Sequence, residues 1–297
     1  MRFLSSSLIA PTNRWSAYVA LAKPDVTCLV VLTTVAGFYL GSRSTLDWVL
    51  LLNTILATML VAAGAAALNQ YVERDRDAVM RRTASRPLPA GQFQPLQVLV
   101  FGVGAVFSGT LWLAVGVNRL SALIALVTCL LYLCAYTPLK TRTPLATAVG
   151  ALPGALPPLI GWAAATGTIS FGGWILSAIL FFWQFPHFMA IAWMYREDYA
   201  RAGIKMLPVI DPKGNATFAQ IIWTSALLVP VSLLPSFVGM TGIRYFFGAL
   251  VLDMALLHVG LWANRTRSNV RAKYLMHATV AHIPLLLGWM VFDKLSR

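Results

Sequence analysis

Residues 48–77 read WVLLLNTILATMLVAAGAAALNQYVERDRD, and the first 25 of them carry no charged side chain. A helix needs about 20 apolar residues to cross the hydrocarbon of a bilayer, so this stretch reads as a membrane span running straight into a charged end. The same ruler applied along the chain gives nine expected spans: 25–42, 48–70, 96–117, 120–137, 145–165, 170–194, 217–239, 243–262 and 272–292. Composition agrees, since 58% of the 297 residues are hydrophobic and only 11% charged, with a mean hydropathy of +0.71. A soluble domain carries about 25% charged residues. These values exclude a soluble domain, a disordered chain and a small disulfide scaffold. Cys28, Cys129 and Cys134 lie inside apolar runs without metal-ligand spacing and read as packing residues. The expected fold is an all-α polytopic membrane protein, one membrane domain over 1–297 with a short N-terminal segment at 1–20.

A net charge of +13 raises the question of nucleic acid, but the placement of the charges answers it. Eighteen of the 23 Lys and Arg fall in the N-terminal segment and in the loops after spans 2, 4, 6 and 8. Only Arg43, Arg119, Arg244, Lys294 and Arg297 fall on the other side. The positive-inside rule puts the N-terminus in the cytoplasm and the C-terminus in the periplasm. The basic excess is a topology signal, so the bilayer is the expected partner and no nucleic acid is. Met1–Trp15 is polar and basic and does not read as a cleavable signal peptide; it is also short for a transit peptide. A bacterial inner membrane is expected, with a mitochondrial inner membrane as the alternative.

The ten acids carry the functional signal. Six of them lie in two loops on the basic side: Glu73, Asp75 and Asp77, then Glu197, Asp198 and Asp211. Span 2 has no helix breaker after Ala65, so its helix is predicted to continue through the first cluster. At 100° per residue Asn69, Glu73 and Asp77 then share one face, about 6 Å apart, while Asp75 points away toward the arginines. An amide and two carboxylates are hard oxygen donors that suit Mg²⁺ together with substrate phosphates. A solvated helix end laced with ion pairs is the bland alternative, but unpaired carboxylates one turn apart repel and call for a cation. Downstream, Arg82 and Arg86 supply planar guanidinium groups suited to phosphate oxygens. There is no Walker sequence and no GxGxxG after a strand, so a diphosphate pocket fits better than a nucleotide site.

The run NQYVERDRDAVMRRTASRPLPAG (69–91) resembles the signature of the UbiA-type intramembrane prenyltransferases, and its Arg82-Thr83 to Leu88 part resembles their haem-farnesylating branch. Further pieces fit in order: Tyr136-Thr-Pro-Leu-Lys140-Thr-Arg142 after span 4, the Pro- and Gly-rich 150–162 of span 5, Trp183-Gln-Phe-Pro-His187-Phe in span 6, and 198–208. The resemblance covers nearly the whole chain. It implies nine helices around a central cavity opening to the cytoplasm. It also implies Mg²⁺ holding an allylic diphosphate between two acid-rich helix ends. In the haem branch, farnesyl diphosphate alkylates a vinyl group of protoheme IX (haem b); water adds, giving haem O and diphosphate. It thereby suggests a downstream haem A synthase or oxidase assembly factor as a partner. The implied metal ligands are Asn69, Glu73, Asp77 and Asp198, and the implied substrate-binding residues Arg82, Arg86, Tyr136, Lys140 and Arg142. Two departures stand out: Tyr195-Arg-Glu197-Asp198-Tyr199 where relatives often carry Asp-x3-Asp, and Lys23-Pro-Asp25 where they often have Arg after Pro.

His187 lies inside a span, where an ionisable residue marks function by default, and is expected to face the acceptor, below Asp198. His258, His277 and His282 read as packing or interfacial residues. Asp253 must face protein, with no partner nameable from sequence. Two rivals remain: a UbiA-type enzyme with a quinone precursor or another aromatic acceptor, and a secondary transporter, whose site would lie near the midplane.

Overall fold

Prolines 24, 95 and 157 open helices at first-turn positions, where the missing N–H leaves no bond unmade. The structure is a computed structural model and describes residues 13–43 and 45–295; Arg2, Arg297 and residues 1–12 of the N-terminal segment lie outside them. The described residues form α1 (Arg14–Leu21), α2 (Pro24–Gly41), α3 (Trp48–Val79), α4 (Pro95–Gly116) and α5 (Arg119–Leu130). A π-helical turn (Leu131–Tyr136) joins α5 to α6 (Thr137–Leu139). There follow α7 (Ala146–Ala155), α8 (Pro157–Thr166), α9 (Phe171–Met194), α10 (Arg196–Arg201), α11 (Leu207–Ile210), α12 (Asn215–Phe237), α13 (Ile243–Thr266) and α14 (Asn269–Phe292). Among them nine segments are long and apolar enough to cross a membrane, one for each expected span. As expected from the absence of a helix breaker, α3 runs on beyond residue 70, 32 residues in all, carrying the acids on unbroken helix.

The spans pack side by side, α2 on α8, α3 on α4, α9 on α12 and α14, and α14 also touches α2. Without a hydrophobic drive between helices in lipid, close backbone approach supplies the contact. At Gly161 an added Cβ would sit 1.8 Å from the Thr34 carbonyl oxygen, and at Gly37 2.0 Å from that of Pro158. The first and last spans are tied at one end, where Lys294 Nζ donates to the Tyr39 and Ser42 carbonyls at 2.5 and 2.6 Å.

One buried polar cluster lies among α12, α13 and α14. Asp253 Oδ1 meets His282 Nε2 at 2.7 Å, and its other oxygen accepts from Ser232 Oγ. Tyr245 donates its hydroxyl to the Ser232 carbonyl at 2.7 Å. The aspartate thus has its partners inside the protein, as its cost in lipid demands, and His282 is a partner to it in addition to packing.

Candidate active site

Because α3 does not break, Asn69, Glu73 and Asp77 stack on one face, buried, along a cavity of about 350 Å³. A cation meets each of them. Lys23 Nζ donates to Asn69 Oδ1 at 2.9 Å, Lys140 Nζ to Glu73 Oε1 at 2.8 Å, and Arg86 to Asp77 Oδ2 at 2.6 Å. The three partners come from the start of α2, the end of α6 and the loop after α3. Thr83 Oγ1 donates to the Asp77 carbonyl at 2.9 Å and pins that loop back onto its helix. Asp75 points away, its side chain 87% exposed beside Arg74.

At the polar end of this cavity two buried atoms have no protein partner: the acceptor Asp77 Oδ1 and the donor Arg82 Nε. An unpaired buried polar atom is costly, and a cation and an anion bound together would satisfy both. Among the described residues no cluster of three His, Cys, Asp or Glu could hold a metal. The donor set is therefore two carboxylates and the Asn69 amide, which fits Mg²⁺ that completes its shell with phosphate oxygens and water.

Electrostatics follow from this crowding. Burial, and then the Arg86 charge nearby, bring the Lys23 ammonium down to about 7. Lys140 moves up, because the Tyr136 phenol and Glu73 outweigh a burial that works against its charge.

The π-helical turn shapes the opposite wall. Tyr132, Tyr136 and Lys140 all reach the cavity; the two rings stack at 5.8 Å and the Lys140 ammonium lies 4.4 Å from the Tyr136 centroid. Gly150 makes room, since a Cβ there would come within 2.5 Å of the Tyr136 ring. Gln184 crosses from α9, its Nε2 donating to the Ala151 and Leu180 carbonyls at 3.2 and 3.0 Å. Below these polar groups the lining is apolar and small: Val61, Ala62, Ala65 and Ala66 from α3, with Ala125 and Cys129 from α5.

Of the residues singled out from sequence, Asn69, Glu73, Asp77, Arg82, Arg86, Tyr136 and Lys140 come together on this cavity. Three do not. Asp198 is buried with one oxygen paired to Arg201 and the other accepting from the Arg82 backbone N–H at 3.3 Å, so it braces the arginine loop instead of facing the cavity. Arg142 is exposed and outside the lining. The His187 ring turns toward α14, its Nδ1 2.9 Å from Thr279 Oγ1 and its plane stacked on Trp183; its neighbour Phe188 faces the cavity. Sequence reasoning missed Lys23, Tyr132, Gln184 and Tyr199, all of which line the cavity. Lys23 alone had a signal, a cation directly before the proline that starts a span.

The chain matches the UbiA prenyltransferase family over residues 30–283. It is 46% identical over 286 residues to a protoheme IX farnesyltransferase of Solibacter usitatus, covering 93% of this chain and 98% of that one. It is 36% identical over 281 residues to the mitochondrial protoheme IX farnesyltransferase of Arabidopsis thaliana, covering 94% of this chain and 65% of that one. Among solved structures, a digeranylgeranylglyceryl phosphate synthase superposes with a TM-score of 0.78 at 16% identity, over 94% of this chain and 98% of that one. A UbiA homologue from Archaeoglobus fulgidus bound to GPP and Mg²⁺ gives 0.66 at 15% identity, over 92% and 99%. The structural likenesses show the fold. With the family match spanning residues 30–283 and the Solibacter usitatus relative aligned nearly end to end, the chain belongs to the UbiA prenyltransferase family.

Proposed function

We infer that the protein transfers the farnesyl group of farnesyl diphosphate to a vinyl group of protoheme IX, with addition of water, releasing diphosphate and giving haem O. The relatives support the substrates: proteins 35–46% identical over most of this chain are named protoheme IX farnesyltransferase. One observation carries the chemistry, the meeting of three oxygen donors and four cations at the polar end of an otherwise apolar cavity.

The allylic C–O bond breaks when charge developing on the leaving diphosphate is stabilised. Mg²⁺ held by Asn69, Glu73 and Asp77 would supply Lewis acidity to the diphosphate oxygens. Arg82, with its unpaired buried Nε, and Arg86, Lys140 and Lys23 neutralise the remaining negative charge. The Tyr132 and Tyr136 rings line the cavity, where an aromatic face would stabilise the allylic cation through its negative quadrupole. The apolar wall below keeps water from capturing the cation early. The vinyl π electrons then attack C1 of the farnesyl group, water adds to the resulting porphyrin-side cation, and a proton leaves. The cavity's polar end opens toward the cytoplasm of a bacterial inner membrane, the side on which the basic loops lie.

The test is incubation of purified protein in lipid nanodiscs with farnesyl diphosphate, protoheme IX and Mg²⁺, with chromatography for haem O. A quinone precursor offered in parallel is the control. Product from the quinone precursor, with none from protoheme IX, would contradict the reading.

A further inference from the structure

The lining that α3 gives the cavity is a single stripe: Thr58, Val61, Ala62, Ala65, Ala66, Asn69, Glu73 and Asp77. No earlier α3 residue lines the cavity, and Thr54 and Ala57 are fully buried beyond it. Val61, Ala125 and Ile160 belong to the same buried cluster as Ala57, Leu113 and Leu159, and Ser121 Oγ pins the Ile160 carbonyl at 3.2 Å. Thr58 is 2% exposed, and its Oγ1 has no hydrogen-bond partner in the protein. A β-branched side chain with restricted χ1 is a stiff stop.

The polar end and this blind end are a fixed distance apart on one unbroken helix. From Asn69 to Thr58 is eleven residues, about 16 Å at about 1.5 Å per residue. An extended chain covers roughly 3.5 Å in three bonds. A farnesyl group, four main-chain bonds for each of its three isoprene units, therefore spans about 14 Å from the diphosphate oxygen. A ten-carbon geranyl group spans about 9 Å and a twenty-carbon geranylgeranyl group about 19 Å on the same scale. With C1 beside Asn69, the fifteen-carbon chain ends at Thr58. The shorter chain leaves the turn between Val61 and Thr58 unfilled, and the longer one does not fit.

We propose that Thr58, with Val61, Ala125 and Ile160 at the blind end of the cavity, sets the prenyl chain length that the protein accepts. The proposal rests on the reading of this cavity as the prenyl diphosphate site, and it does not depend on what the acceptor is.

The experiment measures binding of the unreactive S-prenyl thiolodiphosphates of ten, fifteen and twenty carbons, with Mg²⁺, to the full chain in nanodiscs. Turnover of the three ordinary diphosphates with protoheme IX is measured alongside. The native protein should favour fifteen carbons over either neighbour by at least about tenfold. Thr58→Leu should move the ratio of ten- to fifteen-carbon binding at least about tenfold toward ten, and Thr58→Ala should raise twenty-carbon binding. Ala125→Leu fills the same end from the facing helix and should act like Thr58→Leu, which keeps the test open should that variant not fold. Unchanged ratios in the folded variants, or equal losses for all three chains, would overturn the proposal. If the binding ratios move as expected while no variant and not the native protein farnesylates protoheme IX, the length rule stands and the acceptor reading falls.

Discussion

Glu73 and Asp77 are carboxylates at a membrane boundary, each held by a cation from a different part of the chain. Their removal should act on chemistry more than on folding, because a neutral amide keeps the shape of each side chain. Glu73→Gln and Asp77→Asn are each expected to lower haem O formation at least about a hundredfold, equivalent to about 2.7 kcal/mol in the transition state, with normal membrane insertion and yield. Near-native rates under limiting Mg²⁺ would remove these residues from the site. Lys23→Gln should raise the KM for farnesyl diphosphate about tenfold, the scale of one charge-assisted bond; steady-state kinetics at several diphosphate concentrations would show it. His187→Ala should lower thermal stability while haem O formation at saturating substrates stays within a few-fold, since the ring bonds to Thr279 and stacks on Trp183. A tenfold loss of rate at unchanged stability would return His187 to the acceptor. The legible residues were those whose grouping follows from helix period alone, Asn69, Glu73 and Asp77. Lys23 escaped because its contact with Asn69 spans 46 residues, and Asp198 lies off the cavity because Arg201 and the Arg82 backbone take its oxygens. The Lys23–Asn69 and Arg82–Asp198 contacts join segments far apart in the sequence.

At the scale of elements, apolar runs told where the spans lie, but not how their faces turn. The π-helical turn that brings Tyr132, Tyr136 and Lys140 to one wall has no composition signal, since a single extra residue in a turn looks like ordinary helix. The Pro- and Gly-rich stretch 150–162 of span 5 stands out in the sequence, and the structure gives one reason: Gly161 lies against the α2 backbone. Gly161→Ala puts its Cβ 1.8 Å from a carbonyl oxygen that cannot move without shifting α2, so it should cost more than the ~1–3 kcal/mol of ordinary overpacking and sharply reduce folded yield in detergent. Asp253→Ala leaves His282 and Ser232 buried without their acceptor; a loss of about 1–3 kcal/mol is expected in denaturant titration, with haem O formation unchanged in the fraction that stays folded. Asp211 receives the backbone N–H groups of Asn215 and Thr217 at 3.1 and 2.8 Å, at the start of α12. Although partial burial opposes it, these bonds lower its pKa below the ordinary 3.8. Its contribution is therefore complete above that value and lost as pH falls through the lowered one.

For the whole molecule, the charge count reaches furthest. The basic loops, the long end of α3 and the arginine-rich segment after it all lie on one side, and the cavity's polar residues lie there too. With the native cysteines replaced, a cysteine at Lys213 should react with an impermeant thiol reagent only from the cytoplasmic side, and one at Arg119 only from the opposite side. The central claim is that Asn69, Glu73 and Asp77 present a divalent ion to a diphosphate held by Arg82, Arg86 and Lys140. Crystals of the protein with farnesyl thiolodiphosphate and Mn²⁺, measured at the manganese absorption edge, test it most directly. An anomalous peak is expected within bonding distance of Glu73, Asp77 and a phosphate oxygen, with the second phosphate against the arginines. A peak at Asp198 or elsewhere, with the diphosphate away from Glu73 and Asp77, would contradict it.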